Sequence, residues 1–313
     1  MPFTAKSGKF NASINVVEFG TGDKAVKIGG ENVFPLYSFD AAIENAPKVG
    51  IEITDFGMEH EPECIKKYYE GCATLADMAR KAASMEGVDF LSFRMEGGDP
   101  NGANKSTEEL IGELKEIADA VDLPLVVCGC KNVEKDAELF SKAAEALNGK
   151  NAVILSAKEE NYKTVGAAAG LAYKQVVGAE SAVDINLAKQ LNVLISQLGV
   201  DSKSVVMNVG TAAVGYGFEY VISTMDRVKA AALQQGDANL QMPIITPVAS
   251  EAWGVKEAMA SKTDAPEWGS QEERGIDMEV ETAMAVIAAG SNAVILKHPE
   301  SIKIISGLMK ELV

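Results

Sequence analysis

The sequence predicts a (β/α)8 barrel, the TIM-barrel class of α/β fold, with an N-terminal β-hairpin extension. Eight short runs rich in Val, Ile and Leu recur at intervals of about 30 residues, and an amphipathic stretch follows each run. Near-continuous apolar strands that alternate with helices indicate a parallel sheet covered by helices, and eight such strands close a barrel. A doubly wound sheet would need fewer strands or two domains, and no Pro/Gly/Ser-rich linker divides the chain.

The first 48 residues lie outside this repeat, so we divide the chain into an extension (1–48) and a barrel (49–313). Within the extension, SINVVEF (13–19), the turn TGDK (21–24) and AVKIGG (25–30) predict a β-hairpin. We favour the interpretation that this hairpin closes the amino-terminal end of the barrel. The alternative is that it reaches a partner chain.

The barrel elements follow in chain order. The predicted strands are VGIEITD (49–55), FLSFRMEG (90–97), PLVVCGC (124–130), AVILSAK (152–158), KQVVGAES (174–181), SVVMNVG (204–210), MPIITPVA (242–249) and NAVILKHP (292–299). Among the helices, STEELIGELKEIADAV can be capped by Ser106 or Thr107, and its first turn is acidic, as the positive end of a helix favours. The helix AVDINLAKQLNVLISQLG ends at Gly199.

Charge and hydropathy exclude several classes of protein. A net charge of −16 without a Lys/Arg-rich run argues against nucleic-acid binding, because binding to a phosphate backbone needs clustered basic residues. No window holds about 18 uninterrupted apolar residues, and the amino terminus lacks the apolar core of a signal peptide. We therefore predict a soluble, cytoplasmic protein without a membrane segment, whose four cysteines are reduced thiols.

In barrel enzymes the active site lies at the carboxyl ends of the strands, so polar residues that follow the apolar runs are the candidates. They are Glu52, Asp55, Arg94, Glu96, Asp99, Cys128, Cys130, Asn132, Lys158, Glu159, Glu160, Asn161, Glu180, Asp184, Asn186, Asn208, Thr211, Thr246, Ser250, Glu251, Lys297 and His298.

These candidates give little support for metal or nucleophilic chemistry. The chain has two histidines and no HExxH pattern, and Cys128 and Cys130 are separated by one residue, unlike the spacing of zinc and iron-sulfur sites. There is no GxSxG elbow. Lys158 and Lys297 at strand ends could form Schiff bases if desolvated, but rim lysines are more often solvated. We predict no metal ligand and no catalytic residue in this chain.

Two loops are candidates for binding. NVGTAAVGYGFEY (208–220) has glycines at 210, 215 and 217 before a helix, but it lacks the Walker pattern, so we favour close approach of a bulky flat partner over a phosphate cradle. The loop after the seventh strand, residues 250–275, is the longest connection and contains Trp253 and Trp268. One interpretation is that this loop has a functional or docking role. The alternative is that the two tryptophan rings only pack the loop onto the barrel.

Several loops together resemble one family. They are EGGDPNGANKSTEE (96–109), VVCGCKNVEKDAE (126–138), AKEENYK (157–163), DINLAKQLN (184–192), GYGFEY (215–220), ITPVASEAW (245–253), ERGIDMEVETAMA (273–285) and KHPE (297–300). Nearly end to end, the chain resembles the small (delta) subunit of the corrinoid iron-sulfur protein of the acetyl-CoA decarbonylase/synthase system. In that family a large (gamma) subunit carries the cobalamin-binding domain and the iron-sulfur cluster, and the corrinoid lies between that subunit and the barrel mouth of the small one.

The resemblance implies a set of cofactor-binding residues. The family's barrel is similar to pterin-dependent methyltransferases, which bind methyltetrahydrofolate through Asp and Asn side chains at the strand ends. With the glycine loop, the implied positions are Asp99, Asp184, Asn186, Asn208, Thr211, Gly215 and Gly217. Relatives often have Asp-Pro where this chain has Asn208 and Val209, which argues against independent folate binding because the ionised acceptor is missing.

We therefore expect one subunit of a heterodimeric methyl carrier of the reductive acetyl-CoA pathway. It would move a methyl group from methyltetrahydrofolate, through a methyltransferase, to acetyl-CoA synthase. Cobalamin would be shared at the interface with the large subunit, and the iron-sulfur cluster would belong to the large subunit only. The alternative is a self-sufficient barrel enzyme such as a pterin-dependent methyltransferase, because this fold hosts many chemistries.

Overall fold

The computed structural model describes residues 8–313. The strands are β1 (Val17–Phe19), β2 (Val26–Ile28), β3 (Lys48–Thr54), β4 (Phe90–Arg94), β5 (Leu125–Cys128), β6 (Val153–Ala157), β7 (Val176–Glu180), β8 (Val205–Asn208), β9 (Ile245–Pro247) and β10 (Ala293–Leu296). The helices are α1 (Glu63–Lys66), α2 (Leu75–Ala83), α3 (Thr107–Ala120), α4 (Val133–Ala146), α5 (Tyr162–Val165), α6 (Ile185–Gln197), α7 (Phe218–Leu233), α8 (Ala249–Ala252), α9 (Lys256–Met259), α10 (Gln271–Ala289) and α11 (Pro299–Leu312).

Strands β3 to β10 form a closed parallel barrel. Their order is β8-β7-β6-β5-β4-β3-β10-β9, and every neighbouring pair in this order is parallel. A single parallel bridge between Met207 and Ile244 joins the two ends of the order, and the Met207 amide donates to the Pro243 carbonyl at 2.8 Å. All eight predicted strands and the (β/α)8 barrel are thus confirmed.

The interior of the barrel is a layer of apolar side chains that alternate along the strands. Val126 and Cys128 of β5 point inward, whereas Val127 packs against the outer helices. Gly50 of β3 leaves room for the ring of Phe90, with which any added β-carbon would collide. This period of two follows from the pleat of a strand, and it explains why strands buried on both faces are almost continuously apolar.

The predicted hairpin is present and covers the amino-terminal end of the barrel. β1 and β2 pair antiparallel, and their inward residues join the same apolar cluster as the barrel interior. The Phe19 ring packs edge-on against Phe90, with ring centroids 5.5 Å apart. The Gly20 amide donates to the Asn151 carbonyl at 2.7 Å. The hairpin therefore packs where the favoured interpretation placed it, while a contact with a partner chain and the division at residue 48 stay predictions.

Helix starts follow the expected capping chemistry. The Ser106 hydroxyl accepts from the Glu109 amide at 3.1 Å, so Ser106 is the cap of α3 and Thr107 is its first helical residue. Helix α6 ends at Gln197, and Gly199 has a φ of +103°, as a glycine stop requires. No helix within residues 8–313 combines the length and apolar character needed to span a bilayer.

Candidate functional site

A cavity of about 290 Å³ opens at the carboxyl ends of the barrel strands, and we call it the mouth cavity. The last residues of β4, β5, β7, β8 and β9 line it, with residues of β6, α4 and α8 and of the loops that follow β5 to β8. Its lining comprises Arg94, Cys128, Gly129, Lys131, Asp136, Phe140, Leu155, Ser156, Lys158, Glu180, Ala182, Val183, Asn208, Gly210, Thr211, Pro247, Ser250 and Glu251. The position is the one that barrel enzymes use for their active sites.

The floor of the mouth cavity contains a buried ion pair. Arg94 donates from Nε and Nη2 to Oε2 of Glu52, at 3.0 and 2.8 Å, and both side chains are buried. Burial disfavours the charge of Arg94, but the Glu52 carboxylate outweighs this effect and raises the guanidinium pKa above its usual range. Beside this pair, burial raises the pKa of the Cys128 thiol to about 11. Cys128 is therefore a neutral thiol at physiological pH.

The walls carry two more ion pairs. Lys158 Nζ lies 3.2 Å from Oε1 of Glu180, and Lys131 Nζ lies 3.1 Å from Oε1 of Glu251. Lys297 is outside the cavity lining, and its Nζ lies 2.7 Å from Oε1 of Glu61. Burial opposes the charge of Lys297, but Glu61 prevails and raises its pKa. The geometry thus gives neither Lys158 nor Lys297 the unpaired amine that Schiff-base chemistry needs.

Two of the seven implied cofactor-binding residues lie in the mouth cavity. Asn208 is buried, its Nδ2 donates to Ser156 Oγ at 3.0 Å, and its Oδ1 accepts from the Gly210 amide at 3.0 Å. The side-chain amide of Asn208 therefore joins β8 to β6 and shapes the following loop. Thr211 also lines the cavity, and its Oγ1 is buried without a hydrogen-bond partner in residues 8–313.

Asp99, Asp184 and Asn186 lie outside the lining of the mouth cavity. Asp184 is exposed and caps α6, because its Oδ1 accepts from the amides of Asn186 and Leu187 at 2.7 and 3.1 Å. Asp99 shapes the loop after β4 by accepting from the Asn101 amide at 3.0 Å. An Asp directly before an apolar-periodic helix is itself a capping signal, so sequence reasoning could have found this role for Asp184. Contact of these residues with a cofactor stays a prediction.

Gly215 and Gly217 lie in the loop before α7, away from the mouth cavity. Both have positive φ, +88° and +80°, and Gly217 is the N-cap residue of α7. Between them, Tyr216 donates from its hydroxyl to Oε2 of Glu257 at 2.5 Å, which links this loop to α9. Backbone conformation therefore accounts for the two glycines, and their contact with a macrocycle stays a prediction.

In the described part of the chain, three buried carboxyl groups were absent from the candidates, those of Glu31, Asp136 and Glu279, and Glu279 is the most deeply buried. Glu279 of α10 has no exposed surface, and it accepts from the amides of Lys297 and His298 at 2.6 and 3.1 Å. Burial raises its pKa to about 7. A glutamate inside the helical pattern ERGIDMEVETAMA gives no signal of this role, because only the packing of α10 on the end of β10 creates it.

The long loop after β9 uses its two tryptophans differently. Trp253 is buried and stacks on His298, with ring centroids 5.8 Å apart, so it packs the loop onto the barrel. Burial of His298 lowers its pKa to about 4. Trp268 is 37% exposed and lies under the cations of Lys256 and Arg274. Packing thus explains Trp253, and Trp268 belongs to the surface.

The chain matches a known family over most of its length. Residues 16–309 match the model of the CO dehydrogenase/acetyl-CoA synthase delta subunit. The delta 1 subunit of the acetyl-CoA decarbonylase/synthase complex of Methanosarcina thermophila is 30% identical over 300 residues, which are 94% of this chain and 67% of that protein. The delta subunit from Methanothermobacter thermautotrophicus is 32% identical over 292 residues, or 92% of this chain and 73% of that protein.

Solved structures support the fold. A 7,8-dihydropteroate synthase from Vibrio fischeri aligns with a TM-score of 0.56 and 9% identity, over 94% of this chain and 97% of that protein. The dihydropteroate synthase of Thermus thermophilus in complex with 4-aminobenzoate aligns with a TM-score of 0.55 and 12% identity, over 95% and 100% of the two chains. At such identities the likeness concerns the barrel fold alone.

Proposed function

Since the chain belongs to the CO dehydrogenase/acetyl-CoA synthase delta subunit family, we propose that it is the small subunit of a heterodimeric corrinoid iron-sulfur methyl carrier. Its partners would be the large (gamma) subunit, a methyltetrahydrofolate methyltransferase and acetyl-CoA synthase, in the cytoplasm. The carrier would move a methyl group from methyltetrahydrofolate, through the methyltransferase, to the synthase.

The observation that supports a subunit rather than a self-sufficient enzyme is the mutual pairing of charges in the mouth cavity. Arg94 pairs with Glu52, and Lys158 pairs with Glu180. Burial keeps the thiol of Cys128 protonated. A nucleophile or general base needs an activated, available group, and these groups are engaged with one another. The cavity is better suited to cover and orient a group that a partner holds.

The metal-ligating side chains of this chain also support the proposal that the large subunit holds the cofactors. Residues 8–313 contain no group of three or more His, Cys, Asp or Glu side chains placed to hold a metal ion. Burial raises the pKa of Cys64 to about 11 and that of Cys130 to about 12, so these thiols are poor sources of the thiolates that an iron-sulfur cluster takes. In our proposal the large subunit therefore holds the cluster and the cobalamin-binding domain.

The mouth side presents exposed rings to a partner. Tyr216 and Tyr220, in the loop and helix that follow β8, are 50% and 67% exposed, and Trp268 in the loop after β9 is 37% exposed. Tyr and Trp are enriched where protein interfaces are most stable. We propose that this side faces the large subunit, with the corrinoid between them. When bound, the corrinoid would supply the nucleophilic cobalt that accepts the methyl group, while this chain excludes water and fixes orientation.

A pterin-dependent methyltransferase is the alternative that the barrel itself suggests. Two neighbours in fold are described in complex with 7,8-dihydropteroate and with 4-aminobenzoate. Here, however, the Asn208 amide is engaged by Ser156 and Gly210, and Asp184 caps α6. These contacts leave fewer free acceptors for a pterin ring, so we favour the carrier subunit.

Purification from the source organism tests the proposal. We expect a red, iron-containing heterodimer, whereas a colourless homo-oligomer that transfers methyl groups alone would contradict it. The isolated chain, mixed with methyltetrahydrofolate and free cobalamin, should transfer methyl groups no faster than buffer. Adding the large subunit and a methyltransferase should restore methyl acceptance, and activity without them would favour the alternative.

A further inference from the structure

The mouth cavity contains hydrogen-bonding atoms that the protein leaves unused. Thr211 Oγ1 is buried and has no partner within the described residues, although it lines the cavity. A buried hydroxyl without a hydrogen bond costs free energy, so almost all such groups are satisfied by protein, water or ligand. Thr211 therefore marks a position where a molecule from outside the chain completes the hydrogen bonding.

The neighbouring ion pairs leave acceptors and a donor free. Lys158 engages Oε1 of Glu180, and Lys131 engages Oε1 of Glu251, so Oε2 of each carboxylate remains as an acceptor. Arg94 uses Nε and Nη2 on Glu52, so its Nη1 remains as a donor. The unused atoms of the cavity thus include both hydrogen-bond donors and hydrogen-bond acceptors.

Charged groups of both signs surround the cavity, which restricts the ligand further. Arg94, Lys131 and Lys158 line it together with Asp136, Glu180 and Glu251, and Glu52 pairs with Arg94 at its floor. An anion would lie against free carboxylate oxygens, and a cation would lie against Arg94 and two lysines. A neutral group with a hydrogen-bond donor next to a hydrogen-bond acceptor avoids the repulsion in both cases.

We infer that the mouth cavity binds a neutral primary carboxamide, with Thr211 as one of its hydrogen-bond partners. A carboxamide offers two N–H donors and a carbonyl acceptor, which matches the mixed set of unused atoms. The volume of about 290 Å³ is at the lower end of ligand pockets, so it suits a side-chain-sized group better than a whole macrocycle.

Two molecules could supply this group. Corrinoids carry acetamide and propionamide groups on their periphery, and a partner protein carries the same chemistry in Asn and Gln. The corrinoid as the source rests on the proposed function, whereas binding of the carboxamide itself rests on the cavity alone.

Titration of the full chain with propionamide tests the inference. We expect a saturable shift of the Val183 methyl resonances, which lie in the cavity lining and are present in every variant, with a dissociation constant on the order of millimolar for so small a ligand. Propionate tests the preference for a neutral group, and N,N-dimethylpropionamide tests the need for N–H donors. Both should bind at least about tenfold more weakly, because one adds charge and the other removes the donors. Equal binding of either control, or no shift with propionamide, would overturn the inference.

A matched pair of variants separates recognition from folding. Thr211→Val removes an unpartnered hydroxyl and breaks no hydrogen bond of the protein, so we expect a melting temperature equal to or above that of the wild type and about fivefold weaker propionamide binding. Thr21→Val makes the same change at an exposed position in the hairpin turn and should alter neither measurement. Wild-type affinity in Thr211→Val would show that the hydroxyl takes no part.

Competition identifies the source. Displacement of propionamide by dicyanocobinamide would assign the group to a corrinoid, and displacement by a corrinoid-free large subunit would assign it to a protein side chain. Failure of both competitors, with propionamide bound, would exclude both sources and overturn the assignment. Propionamide binding is measured without a partner, so it tests the carboxamide site independently of the proposed function. The titration can be negative while copurification with a corrinoid subunit is positive, and the titration can be positive while copurification is negative.

Discussion

Glu279 couples the stability of the protein to pH. Burial raises its pKa from 4.5 to about 7 in the folded chain, so the folded state holds a proton that the unfolded state has released between these values. Stability from this group is therefore complete below pH 4.5 and is lost as pH rises towards 7. The loss amounts to about 3 kcal/mol for a shift of this size.

Glu279→Gln should remove this pH dependence. We expect the difference in unfolding free energy between wild type and variant to change by about 3 kcal/mol between pH 4.5 and 8, in favour of the variant at high pH. Urea unfolding at several pH values measures it. Burial lowers the pKa of His298 to about 4, so the stability that depends on neutral His298 is lost as pH falls. This contribution is common to wild type and variant and cancels in the difference between them. Glu281→Gln, exposed on the same helix, is the control, and a parallel pH profile for Glu279→Gln would refute the prediction.

The position of the mouth cavity could be predicted from the sequence more reliably than the roles of the individual residues around it. Asn208 and Thr211 were expected at the rim and do line the mouth cavity, since strand ends meet there in any parallel barrel. Asp184 also follows its strand at this edge, where its carboxylate caps α6, and its contact with a cofactor stays a prediction. Glu279 could not be predicted at all, since its burial depends on contacts between distant segments.

At the scale of elements, the loop before α7 shows how backbone conformation decides the effect of a mutation. Gly217 has a φ of +80°, while the nearest atom to an added β-carbon would be Cδ2 of Tyr220 at 3.6 Å. Space is thus available, but the backbone conformation is unfavourable for a side chain.

Gly217→Ala should therefore destabilise the fold by about 1 kcal/mol through backbone strain. Gly112→Ala is the matched comparison, because Gly112 lies within α3 with open space around it and is not left-handed. That change should stabilise the protein by about 0.5–1 kcal/mol. Denaturant unfolding of both variants measures the two changes in unfolding free energy. Equal changes would contradict the prediction that backbone strain at Gly217 decides the effect.

The elements themselves were predictable where one local rule decides them. β5 and β10, buried on both faces, are continuous apolar runs, and α3 begins at the residue type that caps helices. The short helices α8 and α9 were not predicted, because a single turn has too little periodicity to be recognised.

At the scale of the whole molecule, the hairpin contributes to the stability of the barrel. Phe19 is completely buried and packs against Phe90 at the end opposite the mouth. Phe19→Ala should cost about 3–5 kcal/mol, because it leaves a cavity in a packed layer. Val16→Ala, at a position 41% exposed beside the same strand, is the control and should cost much less.

Thermal and urea unfolding of both variants check this prediction. Below its melting temperature, Phe19→Ala should keep any binding of the proposed large subunit at the mouth, because the change lies at the opposite end. A loss of under about 1 kcal/mol would contradict the prediction, since a substitution at a solvated surface costs no more than this.

Because side chains fill the barrel interior and the hairpin covers its amino-terminal end, the barrel resembles a cup rather than a tube. Whatever enters the mouth cavity must leave by the way it came, and displaced water must leave by the same opening. A partner that covers the rim would thus fix the order of events: the occupant must arrive before the partner docks or together with it, and it can depart only after the partner has moved away. Exchange would then be governed by the lifetime of the complex and not by the affinity of the cavity.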